Sequence, residues 1–327
     1  MPHRYRRATH PTGRASQNPN QAEPDRAVSG QHTAHALWRK ACPATARRLP
    51  ADLALATLGF EPDQQALISQ ALRAPHGLLL VTDPTGSGKT LSLYCFMHHL
   101  NNESSNLCSV EDPAEIQLAG VNQVSIREKS GLNFAAALRA LLRQDPDVVM
   151  IGEIRDRETA DVAVKAAQTG HLVLSTLHTN DAPVTLARLL DIGIEPYNLA
   201  AAIRLITAQR LVRRLCPACR EPYRPDRDVL RAAGFDEAAI ERVEPLYRPA
   251  GCDLCHRIGY RGRIGIHQIM PVSPALRERI VARGGKQAFA DHATQTALRT
   301  LRDAALIKVR RGDTSLDAAL AATGLDA

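Results

Sequence analysis

The stretch Asp83-Pro84-Thr85-Gly86-Ser87-Gly88-Lys89-Thr90 has residue types suited to holding phosphate. Small residues let successive backbone N–H groups turn inward around phosphate oxygens. Lys89 offers a positive charge to terminal phosphates, and the Thr90 hydroxyl offers a ligand to Mg²⁺. The pattern G-x-x-x-x-G-K-[ST] opens on glycine, whereas this chain opens on Asp83, which places a carboxylate close to a polyphosphate. An ordinary turn feeding a helix is the plainer reading. The context argues against it: an apolar run, Leu78–Val81, precedes the loop and a helix-like segment, Leu91–Leu100, follows it.

Other residues capable of chemistry fall at similar places. Glu111, Asp112, Glu153 and His178 each follow an apolar run. A single acid at a strand end is an ordinary loop residue. Several such strands following one phosphate loop point to Glu153 and Glu111 as partners for metal-bound or attacking water. His171 and His178 flank one strand, which is compatible with sensing phosphate. Cys216-Pro-Ala-Cys219 and Cys252-Asp-Leu-Cys255 are separated by 32 residues. Two such pairs in a chain without a secretion signal read as a closed, structural Zn²⁺ site rather than disulfides. The rival is a nucleic-acid-binding ribbon, bordered by few basic residues. Those residues, Arg213, Arg214 and Arg220, read as part of a helix that closes the preceding domain.

The elements that must position these residues alternate. Apolar runs at 78–81, 107–110, 121–126, 148–151 and 172–176 read as strands. Between them, helical spacing marks Leu53–Arg73, Phe134–Leu142, a segment capped by Asp156 and ending at Gly170, and Asp181–Leu190. Strands apolar on both faces, alternating with helices, predict a mainly parallel α/β sheet covered on both sides. Ligands of such sheets bind beyond the carboxyl ends of the strands, where the acids and His178 fall. Gly262–His267 reads as a returning strand, and Leu276, Ile280, Leu298, Leu301, Leu306 and Ile307 mark a helical end region.

The motifs resemble those of the secretion ATPase superfamily, comprising the assembly ATPases of type IV pili and protein E of type II secretion. Ser109–Glu115 resembles its acidic Asp box, Leu142–Asp156 its Walker B segment and Thr169–Asn180 its His box. The likeness runs from about Leu53 to Thr323. It implies a RecA-like P-loop ATPase core with a tetracysteine zinc subdomain and a helical C-terminal subdomain. The boundaries are a disordered basic tail at 1–50, the core at 51–212, the zinc subdomain at 213–262 and the helical subdomain at 263–327.

The resemblance also implies that residues 83–90 and Arg155 bind ATP, that Glu111 and Glu153 organise metal and water, and that His178 senses the γ-phosphate. Arg210 lies near the site or a subunit contact. Family members act as homohexamers at the cytoplasmic face of the inner membrane, attached through partners. They drive a platform protein that adds pilin or pseudopilin subunits. The tetracysteine points to assembly rather than retraction, and the segment from Glu111 to Gln123 leans toward pili. Family members carry a longer N-terminal portion that nothing in residues 1–50 resembles. With Asp83, this gives an alternative reading: a truncated nucleotide-binding remnant with weak or no turnover.

Bulk properties limit the other classes. At 327 residues and 44% hydrophobic content, the chain has room for about two packed domains. No run approaches the roughly 18 apolar residues of a membrane span, so the sequence reads as soluble and cytoplasmic. The net charge of +7 lies wholly in residues 1–50, where Arg4, Arg6, Arg7, Arg14, Arg26, Arg39, Lys40, Arg47 and Arg48 face only Glu23 and Asp25. The remainder is balanced, which disfavours a nucleic-acid translocase.

Overall fold

A computed structural model of the chain describes residues 53–83, 88–127, 129, 131–242 and 244–324. The expected basic tail at 1–50 lies outside the described residues. A seven-stranded sheet forms the centre: β1 (Gly77–Thr82), β2 (Leu107–Glu111), β3 (Val121–Ser125), β4 (Val148–Ile151), β5 (Leu172–Leu177), β6 (Ile203–Leu215) and β9 (Tyr260–Pro271). Their order is β3-β2-β4-β5-β1-β6-β9. Every pairing from β3 to β6 is parallel, and β9 closes the edge antiparallel to β6. The mainly parallel sheet expected from the apolar runs is therefore present.

Strands β1, β2, β4 and β5 are buried at every residue, as a sheet covered on both faces requires. Alternate residues feed two cores. Leu78, Leu80, Val110 and Ile151 face one side, and Leu79, Val81, Leu107 and Met150 face the other. The first core is covered by α3 (Phe134–Leu141), α4 (Arg157–Gln168), α5 (Ala182–Asp191) and α6 (Pro196–Ala202), whose apolar faces supply Leu138, Val164, Leu186 and Leu199. The second is covered by α1 (Pro62–Leu72) and α2 (Lys89–Leu100) through Ile68, Leu72, Leu93 and Met97.

Capping fixes where the helices begin. The Asp156 carboxylate accepts from Thr159 N at 2.8 Å to open α4, and Asp181 accepts from Val184 N at 2.7 Å to open α5.

Arg213, Arg214 and Arg220 differ from expectation. Arg213 and Arg214 lie in β6, not in a closing helix, and Arg220 lies in β7 (Arg220–Tyr223), which pairs with β8 (Leu246–Pro249). Strand β6 continues past the covered part of the sheet, so its last turns toward solvent carry arginines at 213 and 214 while Val212 and Leu215 stay buried. The expected boundaries at 212/213 and 262/263 fall inside β6 and β9. Helices α7 (Arg227–Ala233) and α8 (Glu237–Arg242) share a third core with α11 (Leu301–Arg310) and α12 (Leu316–Thr323). Between β9 and α11 run α9 (Pro274–Val281) and α10 (Lys286–Gln295). Among the described residues no helix is long and apolar enough to cross a membrane.

A buried ionic cluster ties α1 to α11. The Glu61 carboxylate meets Lys308 Nζ at 2.7 Å and an Arg311 nitrogen at 2.6 Å. Burial alone would raise the Glu61 acid, but the two cations outweigh it and hold it below the usual value. His267, beside the Phe60 ring at 4.1 Å, contacts the Leu58 carbonyl through Nε2 at 2.9 Å. Burial lowers the His267 pKa from 6.5 to about 4. Both depressed values make stability present at neutral pH and lost as pH falls, for His267 across the window from 6.5 to about 4. Thermal unfolding across this window is expected to show a loss of about 3 kcal/mol, and His267→Gln is expected to flatten that slope. An unchanged slope in His267→Gln would assign the acid sensitivity elsewhere.

Candidate nucleotide site and tetracysteine centre

The carboxyl ends of β1, β4 and β5 bring three of the sequence motifs together. Lys89, the first residue of α2, is buried, and its Nζ donates to the Asp83 carbonyl oxygen. The same Nζ lies 3.1 Å from His178 Nδ1, and His178 Nε2 lies 3.0 Å from Glu153 Oε2. A neutral imidazole satisfies both contacts when Nδ1 accepts from the ammonium and Nε2–H donates to the carboxylate. The other Glu153 oxygen pairs with Arg155, whose guanidinium stands 4.0 Å from the Asp112 carboxylate. A continuous polar line thus joins Lys89, His178, Glu153, Arg155 and Asp112.

The electrostatics follow from that line. Burial would raise the Glu153 acid, yet Arg155 and His178 together hold it below its usual range. Glu153 is therefore a carboxylate, fit to accept a proton-bearing group such as an attacking or metal-bound water. Burial lowers the Lys89 amine, opposed by Asp83 and Glu153. Gly88 caps α2 with φ of +87°, and a Cβ there would also stand 3.2 Å from Leu211 Cδ1. The loop therefore needs glycine immediately before the lysine. Pro84, Thr85, Gly86 and Ser87 lie outside the described residues. Thr90 follows Lys89 in the first turn of α2.

Glu111 is placed differently from Glu153. It is buried, with Oε1 accepting from Ser109 Oγ at 2.5 Å and Gln123 Nε2 at 3.0 Å, and Oε2 accepting from the Tyr94 hydroxyl. That hydroxyl in turn accepts from the backbone N–H of Glu115 at 3.2 Å and of Ile116 at 3.4 Å. Glu111 thus anchors the loop after β2 to α2. His171 sits at the other end of β5 from His178, with Nδ1 against the Ala166 carbonyl at 3.1 Å. A six-residue strand separates the two histidines by about 20 Å. A surface groove lined by Arg139, Glu158, Lys165 and His171 is at that far end too.

Sequence reasoning missed the hydroxyls that join the motifs. Thr82 Oγ1 donates to the Thr179 carbonyl at 3.0 Å, and Thr179 Oγ1 lies 2.6 Å from Thr185 Oγ1. The signal was a threonine ending an apolar run, opposite another just after His178. Ser92 Oγ donates to Gln209 Oε1 at 2.7 Å and ties α2 to β6.

The four cysteines converge. Cys216 and Cys219 follow β6, and Cys252 and Cys255 lie between β8 and β9. Their sulfurs all lie within 4.8 Å of one another, the one such group of His, Cys, Asp or Glu among the described residues. Cys216–Cys252, Cys219–Cys255 and Cys252–Cys255 are separated by 3.9, 3.7 and 3.8 Å. A tetrahedron with Zn–S bonds of about 2.3 Å has edges of about 3.8 Å, so the donor set fits Zn²⁺. Backbone N–H groups of Cys252 and Gly259 point at Cys255 Sγ at 3.2 Å, and that of Gly251 points at Cys219 Sγ at 3.3 Å. Such donors stabilise thiolates. With all four positions filled by protein, the centre is structural in kind.

A parallel α/β sheet whose first strand leads through a phosphate-type sequence into a helix, with an ionised acid at the end of the strand two places away, defines a nucleotide-binding fold of the P-loop kind. Residues 43–321 match the Type II/IV secretion system protein family, and the chain belongs to it. The type IV pilus assembly ATPase PilB of Pseudomonas aeruginosa is 48% identical over 267 residues, which cover 82% of this chain and 47% of PilB. The type II secretion system protein E of the same organism is 47% identical over 271 residues, covering 83% of this chain and 53% of that protein. Among solved structures, the pilus retraction motor PilT with bound ADP superposes with a TM-score of 0.62 at 28% identity, covering 86% of this chain and 69% of PilT. The chain spans about half the length of the curated relatives it matches.

Proposed function

We propose that this chain is an ATP-hydrolysing motor core serving type IV pilus assembly or type II secretion. The observation that carries this is the Lys89–His178–Glu153 line at the carboxyl ends of three strands of one sheet. Lys89 and the N-terminus of α2 hold the phosphates, and the Thr90 hydroxyl holds Mg²⁺. Glu153 orients water toward the γ-phosphorus, and the bond to the bridging oxygen breaks to leave ADP and phosphate. His178, between Lys89 and Glu153, reports whether the γ-phosphate is present. Arg155 holds Glu153 ionised, and Glu111 acts as a positioning residue through Tyr94.

Zinc fixes the tetracysteine subdomain. The working assembly is a homo-oligomer, a hexamer as in relatives, peripheral to the inner membrane and coupled to a platform protein that receives pilin or pseudopilin subunits. Charge balance beyond residue 50 argues against a nucleic-acid track.

Asp83 favours a second reading, in which the chain binds nucleotide but turns it over weakly. Mg²⁺-dependent phosphate release by the zinc-loaded protein tests the first reading. Lys89→Ala is expected to lower that rate by about 100-fold or more. Equal rates in the two proteins, or stimulation by DNA that vanishes with salt, would contradict the motor reading.

A further inference from the structure

The Asp83 side chain has no part in the roles assigned above, yet it is the most deeply buried carboxylate near the site. It stands at the end of β1 where the phosphate-loop pattern opens on glycine, with no solvent exposure. Its Oδ1 accepts from the Arg210 guanidinium. Its Oδ2 is buried without a hydrogen-bond partner among the described residues. Arg210 is itself largely shielded, with 17% of its side chain exposed.

The Arg210 guanidinium does more than pair with the acid. Its Nη1 also donates to the Gln209 carbonyl at 3.0 Å, and its Nη2 to the Asn180 carbonyl at 3.1 Å. Asn180 lies two residues beyond His178, so one guanidinium fastens the base of the phosphate loop to the loop that carries the histidine. Lys89 meanwhile donates to the backbone carbonyl of the same Asp83. Two cations of the site, Arg210 from β6 and Lys89 from α2, therefore converge on residue 83. Glycine at this position would give Arg210 no side-chain anion.

We propose that Asp83 is a built-in anion that neutralises Arg210 and locks it, together with the His178 loop, in this paired arrangement, so that a nucleotide phosphate must compete with residue 83 for the cationic side of the site. The proposal rests on the nucleotide-site reading above. A phosphate arriving beside Lys89 meets a like charge in a poorly solvated place, and Arg210 cannot turn to it without abandoning a buried carboxylate. Burial pushes the Asp83 acid up to about 7, against the lowering effect of Arg210 and Lys89. The carboxylate form is thus held at a cost that a neutral side chain would not carry. The charged or titratable groups around this pair are Lys89 from α2, Arg210 from β6, Glu153 after β4 and His178 after β5.

The test is equilibrium binding of ADP to the zinc-loaded full chain, comparing wild type, Asp83→Asn, Asp83→Gly and the same three with Arg210→Gln. Asp83→Asn keeps the shape and removes the charge, and circular dichroism with thermal melting establishes that each variant is folded. Both Asp83 variants are expected to bind ADP about tenfold or more tightly than wild type. Arg210→Gln is expected to remove the gain in Asp83→Gly. Affinity unchanged or weakened in both Asp83 variants, beside a wild type that Lys89→Ala impairs, would overturn the lock and leave the nucleotide reading standing. No binding by any variant would overturn both.

Discussion

Removal of one zinc ligand, Cys252→Ser, is expected to empty the tetracysteine centre and unfold the segment between Cys216 and Gly259. The elements there cannot stand alone: β7 and β8 form an isolated pair of four-residue strands. Their apolar support is small, with Leu230, Phe235, Ile240 and Leu246 packed against α11 and α12. A structural zinc of this type contributes on the order of 10 kcal/mol to the fold it closes. The damage is expected to spread beyond the knuckles. Leu215 N donates to the Asp313 carbonyl at 2.9 Å, Tyr260 Oη lies 2.7 Å from Ser315 Oγ, and Arg220 donates to the Gly312 carbonyl at 2.5 Å.

Metal analysis of the wild type is expected to find one zinc per chain, and Cys252→Ser none. Limited proteolysis of the variant should cut first between residues 220 and 250 and then release α11 and α12. A variant that melts and resists protease like the wild type would show that the cysteines hold nothing.

Glu153→Gln is expected to separate binding from hydrolysis. The amide oxygen still accepts from His178 Nε2–H, so the line back to Lys89 survives and ATP is held. The charge that orients water is gone, and Arg155 loses one of the two carboxylates it faces. Hydrolysis should fall by about 100-fold or more with affinity nearly unchanged. Glu111→Gln makes the informative contrast. That acid is surrounded by donors from Tyr94, Ser109 and Gln123, and an amide would set an N–H against one of them. Its expected cost is therefore about 2 kcal/mol of stability, with a smaller effect on the chemical step. Equal losses of hydrolysis in the two variants would return Glu111 to the chemistry.

These two acids also show how far the sequence could be read. Both end apolar runs, and both strands lie in the sheet where periodicity places them. What separates them is the partner: Tyr94 is on the helix after the phosphate loop, and His178 follows β5, the strand next to β4 in the sheet. Side-chain partners at such sequence distance leave no periodic trace. The end of strand Ile203–Leu215 at Arg213 and Arg214 was misread for a related reason. The strand is apolar where neighbours cover it and arginine-rich where it emerges, so neither half shows a clean period of two. The cysteines were legible because their spacing alone encodes the geometry. Asp83 was legible as an anomaly, but its partner Arg210 lies 127 residues away, and burial of the pair belongs to the fold.

The central claim is that the cluster around Lys89 is a nucleotide site. Equilibrium binding of a fluorescent ATP analogue to the zinc-loaded protein, with Lys89→Ala beside it, tests this most directly. The account predicts saturable binding that unlabelled ATP displaces, weakened at least about tenfold in Lys89→Ala and tightened in Asp83→Gly. Binding that is identical in wild type and Lys89→Ala, or absent even in Asp83→Gly, would contradict it.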